Sequence, residues 1–135
     1  RNRLVDLLKG YPDLCSRLLF EVPEYGAFRE FEAFCDLTRT LKQLGCRVGI
    51  EYFGQRFSEI DKLASLGLDY LKVHPIYIRD IENNPGNQEF LAGICRVAHG
   101  LGIEVFALGV QEKAALPILA GLGFDGATGP AVDAR

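Results

Sequence analysis

Side chains that could do chemistry stand at or near the ends of three apolar runs. Glu21 follows Leu-Leu-Phe, Glu51 follows Val-Gly-Ile, and Lys72 lies in a run rich in Leu, Tyr and Val. Carboxylates can bind hard divalent cations or transfer protons, although Glu21 and Glu51 could equally cap following helices. A lysine at the end of a buried strand is costly without a partner. We therefore expect Lys72 to pair with Glu21 or Glu51.

The apolar pattern predicts strands alternating with helices. Strands are predicted at 18–22, 46–50, 68–73, 103–107 and 124–128. Helices are predicted from the three- and four-residue spacing of apolar positions at 27–44, 57–66, 88–101 and 111–122. Each helix ends at a Leu-Gly pair that a strand follows at once, which is typical of a helix-to-strand turn. The repeated order predicts an α/β fold with parallel strands.

Parallel strands would bring several further positions to one edge of the sheet. In α/β folds the residues at the carboxyl ends of the strands form the site, whether the sheet is doubly wound or part of a (β/α)8 barrel. Besides Glu21, Glu51 and Lys72, the positions there are Glu24, Tyr52, His74, Leu108, Gln111 and Thr128. The sequence has no G-x-G-x-x-G, P-loop or G-x-S-x-G motif, which weakens the case for a dinucleotide fold.

Length and composition restrict the class of protein. The 135 residues are 48% hydrophobic and 24% charged, as expected for one folded domain or part of one. The net charge of −3 without a basic stripe argues against a nucleic-acid polymer as partner. The four cysteines are widely spaced among apolar residues, so we expect free, buried thiols in a reducing compartment. No apolar run approaches the ~20 residues that a membrane helix needs.

Five segments, taken in order, resemble the motifs of EAL domains, the cyclic di-GMP phosphodiesterase barrels. They are LFEVPE at 19–24, EYFG at 51–54, DYLKVH at 69–74, ALGVQ at 107–111 and GFDGATG at 123–129. The corresponding family patterns are L-x-L-E-x-T-E, D-D-F-G, D-Y-L-K-I-D, A-E-G-V-E and a last strand ending in Gln-Gly. The match runs from about Leu4 to Val132. The resemblance implies that residues 1–135 are the five C-terminal βα units of a TIM-like (β/α)8 barrel, without its first three strands.

The resemblance also implies roles for three residues. Glu21 matches a metal-binding glutamate, Glu24 matches one that steadies the loop after the next strand, and Lys72 matches the lysine that orients the attacking water. Active relatives of this kind use Mg²⁺ or Mn²⁺.

The departures from the family pattern concern its acids. Tyr52, Leu108 and Gln111 replace carboxylates, His74 replaces an aspartate after the lysine, and Thr128 replaces a glutamine. An apolar side chain such as that of Leu108 can neither bind a divalent ion nor accept a proton. These replacements predict that the domain is not an enzyme and takes no metal cofactor, with Glu21, Glu51, Lys72 and Gln111 as relics of the site.

A subgroup resemblance suggests what the domain would do instead. The segments 50–57 and 125–130 resemble the degenerate EAL domains of LapD-like receptors, which bind cyclic di-GMP without hydrolysing it. A nucleotide in the intact domain would contact Glu21, Glu51, Tyr52, Lys72, His74 and Thr128. Packing is the favoured role for Tyr52 and Tyr77, with stacking on a base as the alternative.

Three functions remain open at this point. The first is a receptor or protein-interaction relay in bacterial cyclic di-GMP signalling, such as biofilm control with an associated GGDEF domain. The second is a divergent metal-dependent phosphodiesterase, and the third is a scaffold that binds no nucleotide. We expect the domain on the cytoplasmic side of the inner membrane, attached through its parent protein, with other signalling proteins as partners. Open sheet edges predict that the isolated fragment self-associates.

Overall fold

The computed structural model describes residues 2–133. Five strands are present: β1 (Leu19–Pro23), β2 (Arg47–Phe53), β3 (Tyr70–Val73), β4 (Glu104–Ala107) and β5 (Gly126–Ala127). The α-helices of this part of the chain are α1 (Asn2–Lys9), α2 (Pro12–Cys15), α3 (Glu24–Arg29), α4 (Phe31–Gln43), α5 (Pro75–Ile78), α6 (Pro85–Gly100), α7 (Ala115–Leu122) and α8 (Pro130–Asp133). Two 3₁₀ helices span Phe57–Leu63 and Ile81–Asn83. None of these helices is long and apolar enough to cross a membrane.

The strands form one parallel sheet in the order β1-β2-β3-β4-β5. Each strand therefore pairs with the strand that precedes it in the chain. A doubly wound sheet reverses its strand order at a switch point, whereas a (β/α)8 barrel adds strands in sequence. The observed order confirms the predicted α/β fold and is that of a barrel segment.

One face of the sheet packs against the helices and forms the core. The strand side chains on this face include Ile50, Leu71 and Val105, none of which has solvent-exposed surface. These side chains share a face because every second residue of a strand points to the same side of the sheet. The four cysteines are free and buried, as expected, and burial raises the pKa of Cys95 to about 12.

The opposite face of the sheet carries a row of alternating large and small residues. Gly49 on β2 leaves room for the ring of Tyr70 on β3, since a Cβ at Gly49 would lie 2.3 Å from that ring. Tyr70 meets Phe106 on β4 edge to face, with ring centroids 5.8 Å apart. Gly126 on β5 in turn accommodates Phe106, whose Cδ1 would lie 2.8 Å from an added Cβ. Tyr70 and Phe106 thus alternate with glycines across this face of the sheet.

Two aspartates fasten strand starts at the amino-terminal edge of the sheet. Asp69 accepts hydrogen bonds from Val48 N and from Lys42 Nζ, both at 2.7 Å. Asp125 accepts from Val105 N at 2.8 Å and lies 2.7 Å from His99 Nε2. Each aspartate thus joins a neighbouring strand to a helix of the outer layer.

Several helix boundaries differ from those that the sequence predicts. The helix predicted at 27–44 is two helices, because Glu30 leaves helical geometry at φ −118° and ψ 57°. The helix predicted at 57–66 is a 3₁₀ helix that ends at Leu63, and the one predicted from Gln111 begins only at Ala115. Helix α6 starts at Pro85, earlier than predicted, because the Asn84 side chain caps it by accepting from Asn87 N.

Candidate functional site

Glu21, Tyr70 and Lys72 meet on the face of the sheet that does not contact the helices. Tyr70 Oη donates a hydrogen bond of 2.7 Å to Glu21 Oε1, and Lys72 Nζ forms an ion pair with the same oxygen. The ammonium of Lys72 also lies over the Tyr70 ring, 5.4 Å from its centroid. The pairing of Lys72 with a glutamate that the sequence led us to expect is therefore present, and Glu21 is the partner.

Glu51 adds a second carboxyl group to this cluster. It lies on β2 where the pairing with β3 shifts register between Ile50 and Phe53. The neighbouring carboxyl of Glu21 and partial burial raise the pKa of Glu51. Partial burial also raises the pKa of Glu21, but hydrogen bonds from Lys72 and Tyr70 outweigh it and hold that pKa below its ordinary value. As the pH falls, Glu51 therefore takes up a proton before Glu21 does.

The cluster borders a hollow of about 350 Å³ on the same face. Lys72 and Arg47 contribute cationic side chains to its lining, Phe106 contributes an apolar floor, and Thr128 stands at its rim. Arg47 is 3.7 Å from Glu104, and both stand at the amino ends of their strands. The arrangement can hold an anionic group beside Lys72.

Tyr52 and His74 lie at the carboxyl ends of β2 and β3. Tyr52 has a left-handed backbone, with φ at 56°, and its side chain is 46% exposed. Its ring lies 5.4 Å from the ring of His74, centroid to centroid. His74 Nδ1 accepts a hydrogen bond of 3.0 Å from Ile76 N and thereby caps α5. Because Nδ1 accepts, the neutral His74 ring carries its proton on Nε2.

Glu24 is buried beneath the loop that follows β2. Only 6% of its surface is exposed, and its Oε2 accepts hydrogen bonds of 2.9 Å from both Gly54 N and Arg56 N. A buried carboxylate with two backbone donors holds a loop in one conformation. The geometry therefore ties the end of β1 to the residues directly after Tyr52.

Leu108 directly follows β4, and Gln111 lies farther along the loop after that strand. Leu108 is half-buried, and its backbone N–H donates to Val73 O at 3.3 Å. Gln111 is exposed and lines a separate hollow of about 410 Å³ with Arg79 and Glu112 among its neighbours. The structure thus brings Glu21, Glu51 and Lys72 together, with Thr128 across the same hollow, and leaves Gln111 outside it.

Sequence reasoning did not include Tyr70 among the functional residues. Its signal was available, because Tyr70 lies two residues before Lys72 in a predicted strand and so shares a face with it. A buried tyrosine hydroxyl needs a hydrogen-bond partner. Here the partner is Glu21, which lies on β1 on the same face of the sheet.

The described residues do not fit a divalent cation by themselves. Between residues 2 and 133, no group of three or more His, Cys, Asp and Glu side chains is placed to hold a metal ion. Glu21 and Glu51 supply two carboxyls, so a hard cation here would need further oxygen ligands from water, phosphate or other residues. One oxygen of Glu21 is already engaged by Lys72 and Tyr70.

Comparisons with known proteins identify relatives of this chain. The family model described as EAL domain matches residues 2–133. Two relatives in Escherichia coli K12 are named cyclic di-GMP phosphodiesterases: PdeF is 29% identical over 88% of this chain and 16% of its own length, and PdeR is 30% identical over 68% and 14%. The solved Vibrio cholerae LapD S helix-GGDEF-EAL structure, bound to c-di-GMP, is 23% identical with a TM-score of 0.86. It is matched over 98% of this chain and 32% of that one.

These relatives contradict one of the expectations drawn from the sequence. The prediction that the domain is not an enzyme, made because Tyr52, Leu108 and Gln111 replace acids, is wrong: the chain matches the EAL family, and two of its relatives are named cyclic di-GMP phosphodiesterases. The error was to infer the chemistry of a whole site from the carboxylates of one part of it. The chain spans less than a fifth of the length of either curated relative.

Proposed function

The chain belongs to the EAL domain family, whose members act in cyclic di-GMP signalling, and we propose that its domain binds cyclic di-GMP at the carboxyl ends of the strands. The observation that carries the proposal is the position of Lys72 beside Glu21 at the edge of the hollow. The structural neighbours bind cyclic di-GMP, which agrees with a nucleotide site on this fold.

The chemistry of the cluster suits a cyclic dinucleotide. An ammonium has three N–H donors, and the pair with Glu21 uses one of them, so Lys72 can also bind a phosphate oxygen. Tyr70 and Glu21 fix the position of Lys72 from below, which lowers the entropic cost of holding a phosphate there.

A second candidate function is hydrolysis of the same nucleotide. It is favoured by the convergence of Glu21 and Glu51 beside Lys72 and by the relatives named phosphodiesterases. In that case the product would be a linear dinucleotide formed by cleavage of one phosphodiester bond with addition of water. Binding is common to both candidates, and only the second requires turnover.

The test is a calorimetric titration of cyclic di-GMP into the parent protein, once with EDTA and once with Mg²⁺. We expect binding in both solutions and a loss of at least about tenfold in affinity for Lys72→Gln, because the charged donor is removed. Lys62→Gln is the matched control, since Lys62 is exposed and pairs with Glu59 in the 3₁₀ helix.

Each outcome decides between the candidates. Binding that Lys72→Gln weakens and Lys62→Gln does not supports the proposed site. A linear dinucleotide, detected by chromatography after incubation with Mg²⁺, adds the hydrolytic function. No heat of binding in either solution contradicts the proposal and leaves the interpretation as a protein-interaction scaffold.

A further inference from the structure

The paired rings of Tyr52 and His74 have no role in the cluster described above. They lie beyond Glu51 and Lys72 on the same two strands, at the carboxyl edge of the sheet. His74 is two residues after Lys72 and so lies on the same side of its strand. The Tyr52 ring, tilted by 57° against that of His74, is an exposed aromatic face on the same strand ends as the lysine that we propose binds phosphate.

The backbone holds Tyr52 in a conformation that non-glycine residues rarely adopt. Its φ of 56° lies in the left-handed region, which costs a bulky residue free energy that the surrounding structure must offset. The buried Glu24 carboxylate helps to offset this cost, because it accepts hydrogen bonds from Gly54 N and Arg56 N in the loop after Tyr52. The result is a ring that is 46% exposed instead of packed in the core.

Packing from the core fixes His74 in place. Its ring is 6.4 Å from that of Tyr77, and Tyr77 in turn lies 5.2 Å from Phe90, centroid to centroid. The hydrogen bond from Ile76 N to Nδ1 fixes the orientation of the imidazole and leaves Nε2–H as a donor. Tyr52 therefore supplies a face and His74 supplies a rigid donor next to it.

We propose that Tyr52 and His74 form a base-recognition site in which the Tyr52 ring stacks on one guanine and His74 Nε2–H donates to its acceptor edge. The proposal rests on the proposed binding of cyclic di-GMP and specifies which part of the nucleotide this chain reads. Guanine presents two acceptors, N7 and O6, on one edge, whereas adenine presents N7 and an amino donor there. A fixed donor at His74 therefore favours guanine over adenine.

The experiment measures cyclic di-GMP and cyclic di-AMP binding to the parent protein and its variants by calorimetry. Tyr52→Asn removes the ring while tolerating the left-handed backbone, and we expect it to weaken cyclic di-GMP binding by about 10- to 100-fold. Tyr52→Phe keeps the ring and should bind within about twofold of the parent. His74→Asn keeps an acceptor for capping α5, and we expect it to reduce the preference for guanine over adenine.

Tyr11→Ala is the matched control. Tyr11 is a 57% exposed tyrosine directly before α2, in the segment that precedes β1. A second readout uses Tyr52→Trp, because this chain contains no other tryptophan. We expect the fluorescence of this variant, measured against the parent protein, to be quenched when cyclic di-GMP is added. Quenching also shows that a variant at this position remains folded and able to bind.

The outcomes separate this inference from the function on which it rests. If the parent protein binds and both Tyr52→Asn and His74→Asn match it in affinity and preference, the base-recognition site is wrong and the nucleotide site stands. If the parent protein binds neither dinucleotide, both proposals fail. Loss of affinity in Tyr52→Asn, with Tyr52→Phe and Tyr11→Ala unchanged, supports the stacking role.

Discussion

At the scale of single residues, the hydroxyl of Tyr70 orders the site. It donates to the same Glu21 oxygen that pairs with Lys72, so the carboxylate is held from two sides. The ring beneath is clamped between Gly49 and Phe106. A change at Tyr70 that spares the ring therefore tests the polar contact alone.

We expect Tyr70→Phe to lower the free energy of unfolding by about 1–2 kcal/mol, because a hydrogen bond to a charged group is lost. Urea denaturation of the parent protein measures this difference. Tyr77→Phe is the control, since the Tyr77 hydroxyl makes no hydrogen bond among the described residues, and its effect should stay within about 0.5 kcal/mol. Equal effects of the two variants would show that the contact with Glu21 contributes nothing to stability.

The sequence alone allowed part of the site to be predicted. Strand-end reasoning brought Glu21, Glu51 and Lys72 to one edge, because parallel strands end together. It did not find Tyr70, since a tyrosine inside an apolar run reads as a packing residue until its neighbours in space are known. The separation of Gln111 from the cluster was equally hidden, because it depends on where the loop after β4 turns.

At the scale of secondary-structure elements, two glycines differ in the space that surrounds them. Gly49 on β2 is overlaid by the Tyr70 ring, whereas Gly93 within α6 has open space where a Cβ would lie. The two positions therefore predict opposite responses to the same substitution.

We expect Gly49→Ala to destabilise the protein by about 1–3 kcal/mol or more, because the added methyl group must displace a buried ring. Gly93→Ala should stabilise it by about 0.5–1 kcal/mol, because alanine restricts the unfolded chain and favours the helix. Thermal unfolding of the two variants checks both signs. Similar melting temperatures for the two would contradict the close approach at Gly49.

The aspartate at the start of β5 predicts an acid-sensitive element. Partial burial raises the pKa of Asp125, but its hydrogen bonds with His99 and Val105 N outweigh that and lower the pKa overall. A lowered carboxyl pKa gives stability that is present above the unfolded value, ~4, and is lost as the pH falls through the folded value.

We therefore expect urea midpoints of the parent protein to fall below about pH 4, and Asp125→Asn to flatten that decline. Asp61→Asn, at an exposed position in the first 3₁₀ helix, should follow the parent profile. A parent profile that Asp125→Asn leaves unchanged would mean that the contact with His99 does not support β5.

Element boundaries show where sequence periodicity stops being informative. The apolar spacing through 27–44 is continuous, yet the helix breaks at Glu30. The buried Glu24 ties the start of α3 to the loop after β2, so the chain turns before α4 begins. The α/β order was predictable, since each strand and each Leu-Gly helix end carries its own local signal. Breaks within a helix, such as the one at Glu30, depend instead on contacts between distant segments.

At the scale of the whole molecule, the sheet has two edges. Strand β1 pairs only with β2, and β5 only with β4, in the part of the chain that the structure describes. The face that carries Tyr70, Lys72 and Phe106 is open as a shallow hollow. Unpaired edges and partly apolar faces favour association between copies.

We expect the isolated 135-residue chain to self-associate, whereas the parent protein need not do so through this surface. Light scattering over a range of concentrations tests this expectation. A mass equal to that of one chain at moderate concentration would contradict it. Leu19→Lys, at an exposed position of the edge strand β1, should reduce the association, because an edge charge opposes strand pairing.

The strictly sequential strand order has a consequence for how this protein is made. Because each strand pairs with the one synthesised just before it, the nascent chain can extend the sheet one strand at a time as it leaves the ribosome. No strand has to wait for a later segment to be inserted between it and its neighbour. Within residues 2–133, pairing can then proceed from β1 towards the short β5, whose start is held by Asp125.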